Sequence, residues 1–220
     1  MKKKLRVLNL YAGIGGNRKL LENVDVTAVE INPEIAAIYK DFFPNDNVIV
    51  GDAHEYLLDH YQEFDFIWSS PPCPTHSRMR MSHTKKIYPD LQLYQEILFL
   101  KHFFKGKWLV ENVIPYYDPL IKAQVLHRHS FWSNFDITPI ELESLGTCKV
   151  LKEREFLQEK FGFNLDKYKG IDKRLCLRNC VVPELGLHIF NCAFKQTQSI
   201  LSPKEVSYEK VRQIQKSCRC

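Results

Sequence analysis

Cys73 stands in the run Ser69-Ser70-Pro71-Pro72-Cys73-Pro74, directly after the apolar stretch Phe64-Asp65-Phe66-Ile67-Trp68. That stretch reads as a buried strand. The two prolines end it, because proline has no N–H for a ladder and a fixed φ. The thiol is thereby held on a stiff turn at the carboxyl end of a strand, the edge where open α/β sheets bind ligands. A thiol held there is a candidate nucleophile; a small buried cysteine beside a proline turn is the other reading. Tyr11-Ala12-Gly13-Ile14-Gly15-Gly16 forms a second special turn, whose glycines let a ligand approach the backbone. Glu30 ends the apolar run from Val26, and Asp52 follows Val48-Ile49-Val50-Gly51. A carboxylate at the end of the second strand can accept from both ribose hydroxyls, and Asp52 can accept from an adenine amino group. The set suits an adenosine without a phosphate cradle. The third glycine of a dinucleotide fingerprint would fall at Arg18, and no Gly-Lys-Ser/Thr follows for a nucleoside triphosphate. Solvated loop carboxylates are the alternative for Glu30 and Asp52. Glu111, after Lys107-Trp108-Leu109-Val110, adds an acid at the same edge as Cys73.

These groups need a frame of strands to hold them. Leu5 to Leu10 predicts a first strand, and Asn17 to Glu22 the start of a helix. Asn32-Pro33 opens another helix, with proline in its first turn. Leu91, Tyr94, Ile97, Leu98 and Lys101 share one face of a helix over 91–104. Phe131 to Phe135 predicts a further strand, and helices are expected near 152–160, over 183–193 and, basic and amphipathic, over 202–216. Strands alternating with helices predict an α/β fold with a mostly parallel sheet. The loop from Thr75 to Lys86 is long and basic, with His76, Arg78, Arg80, His83, Lys85 and Lys86. Beside a nucleophile it suits a phosphodiester substrate and could close as a lid; a solvated charge run is the alternative. His127 and His129 have the spacing of a metal pair on a strand, but no third ligand stands nearby, and the cysteine spacings match no zinc pattern.

The 220 residues suit one domain with a small annex, and a formal charge of +5 permits a polyanionic partner without demanding one. Met1-Lys2-Lys3-Lys4 resembles a signal start, but the apolar stretch after it is short and interrupted by Arg6 and Asn9, so it reads as a strand. No stretch approaches transmembrane length. Seven irregularly spaced cysteines fit reduced thiols in a cytoplasm better than a disulfide framework.

A thiolate, an acid and a nucleoside-bearing donor together suit one reaction, methylation of cytosine at carbon 5. Thiolate addition to carbon 6, with proton donation at ring nitrogen 3, gives an enamine able to attack a methyl sulfonium. The motifs that carry this chemistry are Tyr11 to Gly16, Glu30, Asp52, Ser70 to Cys73 with Ser77, Glu111-Asn112-Val113 and Asn179 to Pro183. In this order they resemble the DNA cytosine-5 methyltransferase family, and the resemblance covers most of the chain.

The resemblance implies a Rossmann-like, S-adenosylmethionine-dependent methyltransferase fold, with S-adenosylhomocysteine as product. Residues 1–137 would be the catalytic and cofactor-binding core, 138–175 a reduced target-recognition region, and 176–220 a segment returning to the core. Tyr11, Ala12, Gly13, Gly15, Gly16, Glu30, Ile31, Asp52, Pro71 and Asn179 would bind the cofactor. Cys73 would be the nucleophile, Glu111 would bind ring nitrogen 3, and Arg128 would contact the base oxygen. Pro72, Ser77, Arg78 and Asn112 would bind the substrate, Pro72 shaping the pocket floor and Asn112 orienting the Glu111 loop. Basic neighbours such as Arg78 or Arg128 would lower the Cys73 pKa, and partial burial would raise that of Glu111. The family's usual Gln-x-Arg-x-Arg is here Leu126-His127-Arg128-His129-Ser130, and its Gly-Asn is Arg178-Asn179. The expected substrate is double-stranded DNA, its cytosine flipped from the stack, in a prokaryotic or phage restriction-modification setting without a membrane. The small recognition region leaves room for a recognition partner or a second copy. The same chemistry on transfer RNA and a non-catalytic subunit of a modification assembly are the rival readings.

Overall fold

A computed structural model of the chain describes residues 4–78, 87–142 and 153–194. Seven strands form one sheet: β1 (Leu5–Leu10), β2 (Val24–Glu30), β3 (Asn47–Val50), β4 (Phe66–Ser69), β5 (Lys107–Val113), β6 (Gln124–Leu126) and β7 (His129–Ser133). Their order is β3-β2-β1-β4-β5-β7-β6. The first five run parallel, while β7 is antiparallel to both β5 and β6. The chain winds outward from β1 to β3 and then returns to β4 beside β1. That reversal opens a crevice at the carboxyl ends of β1 and β4.

The central strands carry apolar residues on successive positions because both faces are covered. On one face Leu8, Leu10, Ile67 and Val110 pack under helices α2 (Ala53–His60) and α3 (Gln92–Phe103). On the other, Val7, Val26, Phe66, Trp68 and Phe131 meet Leu185, Ile189 and Phe190 of α6 (Pro183–Phe194). Helix α1 (Pro33–Phe42), capped by the Asn32 side chain with Pro33 in its first turn, lies against β2 and β3. Outside α1 a separate core joins Ile38 to Leu157 and Phe161 of α4 (Glu153–Phe161), to Phe163 and Leu165, and to Leu177 of α5 (Lys173–Arg178). Part of the stretch 138–175 is thus committed to packing on α1. The expected helix over 202–216 and most of the loop over 75–86 lie outside the described residues.

Three expectations need correction. No α-helix follows the glycine turn. Residues 15–21 instead make consecutive i→i−3 turns, from Arg18 to Gly15, Lys19 to Gly16 and Leu21 to Arg18, and β2 begins at Val24. The space of the missing helix is taken by α6, where a Cβ on Gly186 would lie 2.7 Å from the Asn17 carbonyl oxygen. The buried face of α3 is Leu93, Tyr94, Glu96, Ile97 and Leu100, while Leu91 and Leu98 are exposed. A glutamate in the middle of the buried stripe hid the true register. Finally, β5 does not end before Glu111; it continues to Val113 because β7 pairs with it, Glu111 opposite Phe131 and Val113 opposite His129.

Candidate active site

The glycine turn leaves β1 through Tyr11, whose φ of 55° is left-handed. Its glycines serve different ends. Gly13, also at φ 55°, has open space where a Cβ would stand, and its N–H donates to Glu30 Oε2 at 2.9 Å. A Cβ on Gly15 would lie 2.4 Å from the Phe43 ring, and one on Gly16 2.5 Å from the Val181 carbonyl oxygen. These two are therefore demanded by packing, and Gly13 is the one that faces space. Ala12 is buried beneath the turn.

Glu30 is buried at the end of β2 and accepts from Gly13 N–H at one oxygen and from Asn32 N–H at the other, 3.0 Å. Each oxygen keeps a second lone pair for a ligand hydroxyl. Asp52 caps α2 through Oδ1, which accepts from the N–H groups of His54 and Glu55 at 2.8 and 3.0 Å. Its Oδ2 makes no hydrogen bond among the described residues. Ile31 and Val50, at the ends of adjacent strands, are 68% and 55% exposed. Large apolar side chains in the open, between two acceptor carboxylates, match a flat aromatic base with polar edges. An open glycine backbone, a diol acceptor and this apolar shelf fit a nucleoside-bearing donor. Asn179 is exposed and caps the carboxyl end of α5.

The turn that carries Cys73 is fastened from several sides. Cys73 O accepts from the N–H groups of His76 and Ser77, at 3.0 and 3.1 Å. Ser77 bridges to Pro115, and the Tyr116 N–H donates to His76 O. Asn112, buried on β5, donates from Nδ2 to Pro71 O at 2.9 Å and thereby ties β5 to the proline turn. His76 is buried, with Nδ1 2.6 Å from the Tyr117 hydroxyl. Pro71 is buried, while Pro72 and Arg78 are exposed.

Cys73 is half-buried. Burial pushes its thiol above the ordinary range and the negative charge of Glu111 adds to the rise; a backbone hydrogen bond opposes them. This corrects the expectation of a thiol depressed by Arg78 or Arg128. The Glu111 contribution means that the two side chains lie within electrostatic reach of one another. Glu111 is held by a residue that spacing alone did not assign: His129 Nδ1 lies 2.5 Å from Glu111 Oε1, and both side chains are about a tenth exposed. The signal was the His127/His129 pair, whose spacing suggests metal ligation. His127 instead turns the β6–β7 hairpin at φ 54°, with its ring against Ile140 O. No group of metal-ligand side chains occurs among the described residues.

Arg128, at the hairpin tip, is exposed. Its charge reaches Glu153, the carboxylate shared by Arg174 at 2.5 Å and Arg178 at 3.8 Å. Two guanidiniums pair with this one carboxylate and the Arg128 charge lies within electrostatic reach of it, so positive charge is in excess there.

A family model described as C-5 cytosine-specific DNA methylase matches residues 5–115. Among curated proteins, the tRNA (cytosine(38)-C(5))-methyltransferase of Homo sapiens is 32% identical over 82 residues, 34% of this chain and 21% of that protein. The protein of the same name from Bos taurus is 27% identical over 117 residues, 44% of this chain and 30% of that protein. The chain thus spans less than a third of the length of these relatives. The solved structure of the Entamoeba histolytica methyltransferase EhMeth covers 88% of this chain and 99% of its own, with a TM-score of 0.56 at 12% identity. It shares the fold.

Proposed function

The chain belongs to the C-5 cytosine-specific DNA methylase family, and on that premise we propose that it is a DNA (cytosine-5-)-methyltransferase using S-adenosylmethionine. The observation that carries the reading is that the Cys73 turn follows β4 while Glu111 lies on neighbouring parallel β5, one residue past the last β4 pairing and within electrostatic reach of the thiol, beside the crevice of Gly13, Glu30 and Asp52. The bound donor supplies an electrophilic methyl group. Glu30 holds its ribose, Asp52 and Ile31 its adenine, and Gly13 leaves room for its chain.

Cys73, its thiol proton lost to solvent, adds through sulfur to carbon 6 of a flipped cytosine while Glu111 delivers a proton to ring nitrogen 3. The carbon 5–carbon 6 π pair is thereby held as an enamine, and carbon 5 takes the methyl group as the donor's sulfur–methyl bond breaks, leaving S-adenosylhomocysteine. Loss of the carbon 5 proton to solvent then expels the sulfur as thiolate, and ring nitrogen 3 returns its proton to Glu111. An ionised Glu111 opposes a thiolate at Cys73, so a proton on Glu111 favours both halves of the addition at once. His129 orients Glu111, and Asn112 fixes the proline turn against β5. Flipping costs a few kcal/mol of unstacking, which phosphate contacts from Arg128, Arg174 and Arg178 would offset.

Transfer RNA is the second reading, favoured by the names of the two curated relatives. Part of the stretch 138–175 packs on α1, which leaves little of it to read base edges and gives a recognition partner or second copy a role. Tritiated donor with duplex DNA and with transfer RNA tests both. Label in DNA cytosine, absent with Cys73→Ser, is the expected result; label confined to transfer RNA transfers the reading to that substrate, and label in neither refutes it.

A further inference from the structure

Glu96 lies in the middle of α3, fully buried. Its Oε1 accepts from the Tyr11 hydroxyl at 2.5 Å and stands 3.1 Å from His54 Nδ1; its Oε2 accepts from the Ser69 hydroxyl at 2.5 Å. An ionised carboxylate is acceptor-only, and each of these three partners can donate. The Tyr11 phenol is pushed far up by burial and by the Glu96 charge, so it keeps its proton and donates.

The three partners come from three different elements of the crevice. Tyr11 opens the glycine turn, two residues before Gly13. Ser69 ends β4, four residues before Cys73. His54 lies two residues after Asp52, in the first turn of α2. Tyr11 also holds a left-handed φ of 55°, rare for a bulky residue and kept only where the surroundings over-determine it. The hydroxyl bond to Glu96 is such a constraint.

We infer that Glu96 is a positioning residue, which through Tyr11, Ser69 and His54 sets the relative placement of the donor-binding turn, the nucleophile turn and the adenine-side carboxylate. This rests on the donor-binding reading above. Glu96 touches neither donor nor base; it acts through groups that would.

Calorimetric titration with S-adenosylhomocysteine tests it without turnover. Glu96→Gln preserves shape but faces an amide toward donors, and its Kd should rise about tenfold or more, as displaced binding groups produce. Asp65→Asn is the control. Asp65 pairs with Arg6 at the amino end of the sheet, 3.1 Å away, and its neutralisation should lower the urea midpoint while leaving Kd within about twofold. If Glu96→Gln fails to fold by circular dichroism, His54→Gln alters one of the three partners and should raise Kd roughly two- to tenfold. Wild type that binds no S-adenosylhomocysteine overturns the donor reading and this inference with it. Wild type that binds, with Glu96→Gln or its substitute unchanged, overturns the inference alone.

Discussion

His129→Ala is the substitution that separates this site from a generic acid beside a thiol. The imidazole meets Glu111 Oε1 at 2.5 Å, and the two side chains are 12% and 9% exposed. Removing one partner of a buried hydrogen bond leaves the other unsatisfied, at a cost of about 1–3 kcal/mol. The residual exposure favours the middle of that range, about 2 kcal/mol. For a domain of this size each kcal/mol moves the melting temperature by about 2–4 °C, so a fall of about 4–8 °C is expected. The catalytic effect is separate. A positioned proton donor is worth about 10²–10⁴ in rate, and with Glu111 free to rotate kcat should fall about 100-fold. His129→Gln returns a hydrogen-bonding side chain to that place and should recover part of the rate and of the stability. Tritium transfer and thermal melts on wild type and both variants make the measurement. If His129→Ala lowers the melting temperature but keeps kcat, Glu111 is not oriented by this histidine. If neither moves, the pair does not exist in solution.

Other outcomes follow from the same geometry. Glu111→Gln removes a charge that raises the Cys73 thiol, so iodoacetamide labelling of the Cys73 peptide at neutral pH should quicken, about tenfold for each unit the pKa falls. Burial holds His76 below its ordinary pKa of 6.5. As pH falls below 6.5 the unfolded chain binds that proton first, so stability present above 6.5 is lost on the way down to the folded-state pKa, and His76→Phe should flatten that part of a urea-midpoint profile. Gly15→Ala sets a Cβ against the Phe43 and Tyr39 rings at φ 85° and should cost about 1–3 kcal/mol from overpacking, read by urea denaturation. Arg174→Ala with Arg178→Ala should weaken nucleic-acid binding at low salt and reduce the salt slope by about one for each phosphate that is no longer neutralised.

The strands were legible because both faces of each central strand are covered, so Phe66 to Trp68 or Trp108 to Val110 could be read as uninterrupted apolar runs. The glycine turn, the strand-end carboxylates and the proline turn were legible because each needs a residue type that little else explains. What escaped was set by partners far along the chain. The helix expected after Gly16 yields to tight turns because α6, more than 160 residues away, occupies its place against the sheet, and no local propensity reports that. By spacing His129 is only half of a metal pair, since the pairing of β7 with β5 is what brings it to Glu111. Glu96 was invisible for the opposite reason. A carboxylate within an apolar helix looks like a register error until its three partners are brought to it from the glycine turn, β4 and α2. Polar groups of this kind are costly to bury and stay where hydrogen bonds compensate them. The positions that broke the hydrophobic pattern are therefore where the crevice is braced, and the residues that line it, Gly13, Glu30, Asp52 and Cys73, depend on that bracing for their placement.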